Sequence, residues 1–146
     1  MTKFVRAVCV VMVLCVIMTI PAQAETIAEP RGSAFFAAYG ASLYKTSSTS
    51  FQIWFDVDAN AAIMDELGVY TIDLYRSADQ QSWKKIKTYE RDNYPEMIDT
   101  DSFSYAGYVT YSNAASGYYY YACVTFYAKD SRGVGMRDYY TYILEM

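Results

Sequence analysis

An alternation of apolar and polar residues constrains the fold of this chain more than any other feature. It is clearest in SFQIWFDVDAN, residues 50–60. One parity holds Phe51, Ile53, Phe55 and Val57, and the other holds Gln52, Trp54, Asp56 and Asp58. A period of two is typical of a β-strand that buries one face and leaves the other in water, whereas a helix needs a period of about 3.6. The stretch therefore predicts a sheet with one solvent-facing side.

The same alternation recurs along the chain between short runs of turn residues. It predicts seven strands, at residues 34–45, 50–58, 69–76, 82–89, 103–111, 118–128 and 135–144. Residues 61–67, AAIMDEL, have some helical character and predict one turn over the end of a sheet, and residues 90–102 predict a long acidic loop. Seven strands at this spacing predict an all-β fold, an antiparallel sandwich of the immunoglobulin or fibronectin III type.

The penultimate predicted strand lies in GYYYYACVTFYAKD, residues 117–130. Its inward set is predicted to be Tyr120, Ala122, Val124, Phe126 and Ala128, because the opposite parity contains Thr125 and ends at Lys129. Immunoglobulin-like sandwiches often tie a tyrosine hydroxyl near the start of this strand to the backbone of the preceding corner. Tyr118 and Tyr120 are the two candidates for that role.

The first residues have the three-part plan of a secretory signal peptide. Lys3 and Arg6 give a basic start, residues 8–20 are an apolar run, and Ala-Gln-Ala at 22–24 is a small-x-small cleavage site. An apolar helix of that length rises only about 20 Å, which is too short for a hydrocarbon core of about 30 Å. We therefore expect cleavage between Ala24 and Glu25, secretion without a stable membrane anchor, a flexible segment at 25–33 and a sandwich domain at 34–146.

The ionisable residues exclude several classes of function. The chain has 12 basic residues, 16 acidic residues and no histidine. Because residues 1–24 hold two bases and no acid, the predicted mature part carries a net charge of −6, which repels nucleic acid and anionic lipid. Without histidine, neither a Ser-His-Asp nor a Cys-His site can form. We therefore expect a protein that is not an enzyme and has no cofactor.

The order of several motifs resembles a known family. These motifs are PRGSAFFAAYGASL at 30–43, FQIWFDVDA at 51–59, MDELGVYTIDLYRSADQQSWKKIKTY at 64–89 and SGYYYYACVTFYAKD at 116–130. Together with the leader, they resemble a family of small exported proteins of Gram-positive, mostly anaerobic gut-type bacteria, defined only as a domain of unknown function. The resemblance covers nearly the whole mature chain and implies a secreted single β-sandwich domain with nothing catalytic. Tyr121 and Cys123 stand where it implies polar outward residues.

Tyrosine is the residue type that departs most from average composition, with 17 in the chain. The predicted register places Tyr75, Tyr119, Tyr121 and Tyr127 on one outer sheet face. An aromatic strip there could stack on sugar rings or dock a protein. Tyrosine also favours half-buried strands, so structural packing explains the same residues without a ligand.

Cys123 is the one cysteine of the predicted mature chain, so no internal disulfide is expected. Its predicted outward position in an oxidising compartment makes an intermolecular disulfide, and hence a homodimer, one alternative. A small buried hydrophobe is the other, and an anaerobic habitat would keep the thiol reduced.

A calcium loop is a further candidate, at Asp56, Asp58 and Asn60, which have the alternate spacing of a loop's first ligands. The pattern then fails, because Ala61 stands where the turn glycine should be and Leu67 where the bidentate glutamate should be. We therefore predict no metal site and keep these three residues as weak calcium candidates.

The sequence as a whole predicts a protein that binds rather than reacts. The leading hypothesis is an extracellular protein-interaction module, whose partner would be a protein outside the cell. The alternative is a carbohydrate-binding module that uses the exposed tyrosines. A small secreted hydrolase is the third hypothesis, and it requires a cleft that holds two close carboxylates.

Overall fold

The computed structural model describes residues 34–146. The predicted signal peptide, its cleavage site and the predicted flexible segment at 25–33 lie outside the described residues. Within 34–146, no helix is long and apolar enough to cross a membrane.

Residues 34–146 form nine strands in two antiparallel sheets that pack as a sandwich. The strands are β1 (Phe36–Lys45), β2 (Phe51–Ala59), β3 (Met64–Ser77), β4 (Lys84–Glu90), β5 (Ile98–Ser102), β6 (Ser104–Tyr111), β7 (Tyr119–Asp130), β8 (Gly133–Tyr140) and β9 (Leu144–Glu145). The small sheet has the order β1-β2-β6. The large sheet has the order β4-β3-β7-β8, with β5 also pairing β3 and β9 also pairing β7. The all-β prediction and the antiparallel sandwich are confirmed.

The predicted number of seven strands is wrong. The acidic segment 90–102 contains a 3₁₀ turn at Pro95–Met97 and then β5, which pairs with the beginning of β3. The predicted turn at 61–67 is also wrong in its second half, because β3 already begins at Met64. The residue types of that segment favour a helix, but pairing with β5 and β7 determines its conformation.

The core lies between the two sheets, and both predicted inward sets are confirmed. The inward residues of β2 are at most 1% exposed, and those of β7 are fully buried. The hydroxyl of Tyr120 accepts a hydrogen bond from the backbone N–H of Ala115 at 2.9 Å. This contact joins the start of β7 to the preceding corner, as predicted for Tyr118 or Tyr120.

Aromatic side chains join the sheets at their edges. At one edge, the hydroxyl of Tyr89 on β4 donates to the carbonyl of Thr110 on β6 at 3.1 Å. At the other edge, the ring of Tyr39 on β1 packs on Phe126, with centroids 5.2 Å apart, and on Tyr139 at 6.3 Å. These contacts leave the outer face of each sheet as the surface that can meet a ligand.

The acidic segment is held against the sheet by a close backbone approach. Gly68 has φ +153, and a Cβ atom there would lie 2.2 Å from the carbonyl oxygen of Met97. Only glycine tolerates both the conformation and the contact. Met97 is fully buried, so residues 95–102 belong to the packed domain and are not a free loop.

The edge of the large sheet beside β7 is interrupted at Thr141. The backbone N–H of Thr141 donates to the carbonyl of Ala122, and the Thr141 hydroxyl accepts from the N–H of Ala122, both at 3.0 Å. A side chain thus takes the place of a main-chain acceptor in the ladder. This divides the predicted strand 135–144 into β8 and β9.

Candidate ligand-binding faces

The outer face of the large sheet carries an aromatic cluster at Tyr75, Trp83, Tyr121 and Tyr140. The rings of Tyr75 and Tyr121 stack with centroids 4.8 Å apart and planes 8° apart. Trp83 meets Tyr121 edge-on at 4.6 Å, and Tyr140 lies 6.4 Å from it. In stacked and edge-to-face pairs of this kind, each ring packs against another ring of the protein. Tyr75, Trp83 and Tyr121 are only half-exposed, because they cover each other.

Tyr127 lies apart from that cluster, although the sequence places it in the same strip. Six residues separate it from Tyr121 along β7, which is about 20 Å of extended chain. Its ring is 6% exposed, and the Arg91 guanidinium covers it at 4.7 Å from the ring centroid. Arg91 also lies 5.3 Å from the ring of Tyr70 and forms an ion pair of 2.7 Å with Glu66. Tyr127 is therefore part of a packed cation–aromatic cluster rather than a binding surface.

Tyr119 begins β7, opposite Ser77 on β3 and Glu145 on β9. It is half-exposed. Four tyrosines were expected to share a strip. The structure brings Tyr75 and Tyr121 together and places Tyr119 two residues before Tyr121 on β7. Tyr127 is buried.

Cys123 is half-buried in a cross-strand row between Asp73 on β3 and Tyr140 on β8. Burial raises the pKa of its thiol; a hydrogen bond with Tyr140 lowers that pKa, and the negative charges of Asp138 and Asp73 raise it further. The net shift is upward. Because the thiolate is the nucleophile, this environment disfavours thiol chemistry.

The weak calcium candidates lie at the end of β2 and in the turn after it. The carboxylate of Asp58 accepts a hydrogen bond from the Ser104 hydroxyl at 2.6 Å. Asn60 donates its backbone N–H to the carbonyl of Phe35, and Ala61 adopts a left-handed φ of 66. Within the part of the chain that the structure describes, no group of three or more histidine, cysteine, aspartate or glutamate residues could hold a metal ion.

The outer face of the small sheet presents its aromatic residues differently. Trp54 on β2 is 40% exposed, and its ring lies 4.8 Å from that of Tyr108 on β6, which is 46% exposed. The indole N–H donates to the Gln52 side-chain oxygen at 2.9 Å, which fixes the plane of the indole. Tyr44 on β1 is 56% exposed and lies diagonally across from Trp54. These three rings form a platform that no other described element covers.

An open depression of about 460 Å³ lies beside this platform. It is lined by Ser42, Tyr44, Trp54, Phe55, Asp56 and Ala106. Space exists there because the two neighbours of Asp56 across the sheet, Gly40 and Ala106, have little or no side chain. A Cβ atom on Gly40 would lie 3.5 Å from the Asp56 carboxylate. The depression thus combines an aromatic wall, a hydroxyl and a carboxylate within one site.

No protein-family model matches this sequence, and no curated protein matches it either. The site must therefore be interpreted from its own geometry.

Sequence reasoning singled out tyrosines of the large sheet and did not include the aromatic residues of the small sheet. The period-two register already placed Trp54 and Asp56 on the outward parity of β2. A tryptophan on the solvent-facing side of a strand is a signal that could have identified this face. The missing information was the identity of the neighbours on β1 and β6, since small residues there open the depression.

Proposed function

We propose that this protein is an exported, non-catalytic β-sandwich that binds carbohydrate on the outer face of its small sheet. The observation that carries the proposal is the depression between Trp54, Tyr44 and Asp56. Sugar rings have one apolar face of C–H groups that packs on aromatic rings, and their hydroxyls need hydrogen-bond partners at the rim. The site offers both kinds of group.

Asp56 is the polar group best suited to receive sugar hydroxyls. It is exposed and accepts no hydrogen bond from any other described residue. A free carboxylate beside an aromatic ring can accept two hydroxyl hydrogen bonds without losing an internal partner. Ser42, directly opposite Trp54 on β1, adds a hydroxyl that both donates and accepts.

The lining favours binding over hydrolysis. A glycosidase needs two carboxyl groups that flank the scissile bond. Among the described lining residues, Asp56 is the single acid, and its neighbour Asp58 is engaged by Ser104. This supports a binding role and gives the hydrolase hypothesis no second acid in the depression.

A row of apolar residues favours a protein partner as the second candidate function. Val134, Met136 and Tyr140 lie on the outer face of β8, with Asp138 between the last two, and are 53%, 41% and 64% exposed. Tyr142 and Ile143 follow in the interruption before β9, at 88% and 50%. Exposed apolar rows of this kind mark contact surfaces, and a second copy of this chain is the simplest partner to test.

Export and kinship with immunoglobulin-like sandwiches belong to the same proposal. The leader of residues 1–24 supports export, with the mature chain beginning at Glu25. The hydrogen bond between Tyr120 and Ala115 supports the kinship, because immunoglobulin-like folds use a tyrosine at this corner.

The test uses the fact that the chain has two tryptophans, one on each outer face. In Trp83→Phe, Trp54 is the only indole, and the new ring can still pack on Tyr121. We expect the emission of Trp54 to change on titration with β-1,4-linked oligosaccharides, because a sugar on the platform displaces water from the indole. We also expect the change to be lost in Trp83→Phe/Ala106→Leu, where the added side chain fills the depression.

A matched control separates binding at this face from binding elsewhere. Trp54→Phe leaves Trp83 as the only indole, so its emission should stay constant in the same titration. An emission change at Trp83, or an unchanged response after Ala106→Leu, would place the ligand on the large sheet and contradict the proposal.

A further inference from the structure

We infer that the ligand of the small-sheet face is an oligosaccharide that carries free amino groups, as a polymer of 2-amino-2-deoxy sugars does. This inference rests on the proposed function and names its substrate class. It is based on the charged residues of the whole face and on the hydrogen-bond partners of its two carboxylates.

The outer face of the small sheet carries two acidic residues and no basic residue. The register of β1, β2 and β6 places twelve residues on it: Ala38, Gly40, Ser42, Tyr44, Gln52, Trp54, Asp56, Asp58, Ser104, Ala106, Tyr108 and Thr110. Two of these are acids and none is a base. Lys45, the nearest basic residue on β1, belongs to the opposite parity and pairs with Phe51. An acidic sugar would therefore meet negative charge without a compensating cation.

The two carboxylates of this face differ in what already binds them. Asp58 receives the Ser104 hydroxyl at 2.6 Å, whereas Asp56 accepts no hydrogen bond from the described residues and lines the depression. An ammonium group can therefore form a charge-assisted hydrogen bond with Asp56 without breaking an internal contact. The carboxylate lies over Gly40, which has no side chain to contact or cover it.

The aromatic wall adds a second attraction for the same group. A cation within about 6 Å of an indole or phenol ring is attracted to its face. Trp54 directly precedes Asp56 on the outward parity of β2, so an ammonium at the carboxylate also lies beside the indole. A neutral sugar keeps the stacking contact and can donate hydroxyls to Asp56, but it gains neither the attraction between opposite charges nor the cation–aromatic contact.

The experiment measures dissociation constants of four β-1,4-linked tetramers for Trp83→Phe by Trp54 fluorescence. The probes are the tetramers of glucosamine, N-acetylglucosamine, glucose and mannuronic acid. We expect the glucosamine tetramer to bind about tenfold more tightly than the glucose tetramer. The N-acetylglucosamine tetramer should behave like the glucose tetramer, and the mannuronic acid tetramer should bind most weakly.

Two matched variants test which carboxylate causes the preference for the glucosamine tetramer. In Asp56→Asn, the tenfold ratio between the glucosamine and glucose tetramers should fall to about twofold. In Asp58→Asn, which keeps an oxygen for Ser104, the ratio should stay near tenfold. Added salt should weaken binding of the glucosamine tetramer more than that of the glucose tetramer, because exposed charge pairs are screened.

The outcomes distinguish this inference from the proposed function. Equal binding of the glucosamine and glucose tetramers at Trp54, or tightest binding of the mannuronic acid tetramer, overturns the amino-sugar inference and leaves carbohydrate binding intact. A ratio that falls in Asp58→Asn rather than in Asp56→Asn also overturns it. If none of the four tetramers changes Trp54 emission, the inference and the proposed function both fail.

Discussion

The two outer faces of the sandwich use the same residue types for different purposes. On the large sheet, the aromatic rings contact each other or a cation, as in Tyr75 on Tyr121 and Arg91 on Tyr127. On the small sheet, Trp54 and Tyr108 touch each other along one side and leave their other surfaces in water. The number of aromatic residues on a face therefore does not locate a binding site, whereas the contacts of each ring do.

The largest effect that would test this difference is on stability. Tyr121→Ala removes a ring that contacts Tyr75 and Trp83, so we expect the free energy of unfolding to fall by about 2–3 kcal/mol. Trp54→Ala removes a larger side chain from the exposed face, yet we expect a loss of about 1 kcal/mol or less. Urea denaturation of the two variants, followed by far-UV circular dichroism, measures both changes.

Equal losses in these two variants would remove the distinction between a packed face and an open one. Tyr121→Phe serves as the control, because it keeps the ring and loses only the hydroxyl. Its stability should stay close to that of the wild type.

The cation–aromatic cluster of the large sheet gives the next largest effect. Arg91→Ala removes the group that covers Tyr127 and pairs with Glu66, and we expect a loss of about 1–2 kcal/mol at neutral pH. Arg91→Lys keeps the charge but lacks the planar guanidinium, so it should recover only part of that loss.

The pH dependence of the same variant has a definite sign. The hydrogen bond from Arg91 holds the pKa of Glu66 below its ordinary value. The stabilisation is therefore fully present above the ordinary glutamate pKa, which is about 4.3, and is lost as the pH falls through the lower value of the folded state. The difference between wild type and Arg91→Ala should shrink on acidification. A constant difference would show that packing on Tyr127, and not the ion pair, dominates.

The smallest effect concerns Cys123, which borders the aromatic cluster. Because burial raises the pKa of this thiol and Asp138 adds to the shift, we expect slow reaction with a disulfide reagent and little covalent dimer in air. Asp138→Asn keeps an acceptor for the Thr125 hydroxyl and removes the charge, so it should speed the reaction by about threefold.

The thiol reaction rate at fixed pH, together with the intact mass with and without reductant, measures this prediction. A wild-type protein that dimerises quantitatively through Cys123 would contradict it. That result would favour the disulfide-linked homodimer among the sequence hypotheses.

Much of the fold could be predicted from the sequence because one side of each strand is in contact with the core. The inward residues of β2 and β7 were assigned correctly from parity alone, since burial requires that pattern. The beginning of β3 and the whole of β5 were missed. Their pairing is non-local, joining Met64 to Ser102, and neither segment alternates clearly.

The candidate site could be predicted only in part, for a related reason. Parity shows that Tyr121 and Trp54 both point outward, but it does not show what lies beside them on neighbouring strands. Tyr121 has Tyr75 and Trp83 as neighbours, whereas Trp54 borders a depression that also contains Ala106. The burial of Tyr127 depends on Arg91, which is remote in sequence and reaches the ring from the end of β4.

The interruption at Thr141 has a consequence for how the protein behaves at high concentration. An unbroken edge strand invites a strand of another chain to extend the sheet. Here the edge is divided into pieces of eight and two residues, and the Thr141 side chain occupies a ladder position that a main-chain group would otherwise fill. A strand that adds in register with β8 loses its register before β9. The chain can therefore expose tyrosine and isoleucine along this edge, while strands of other chains are hindered from extending the sheet.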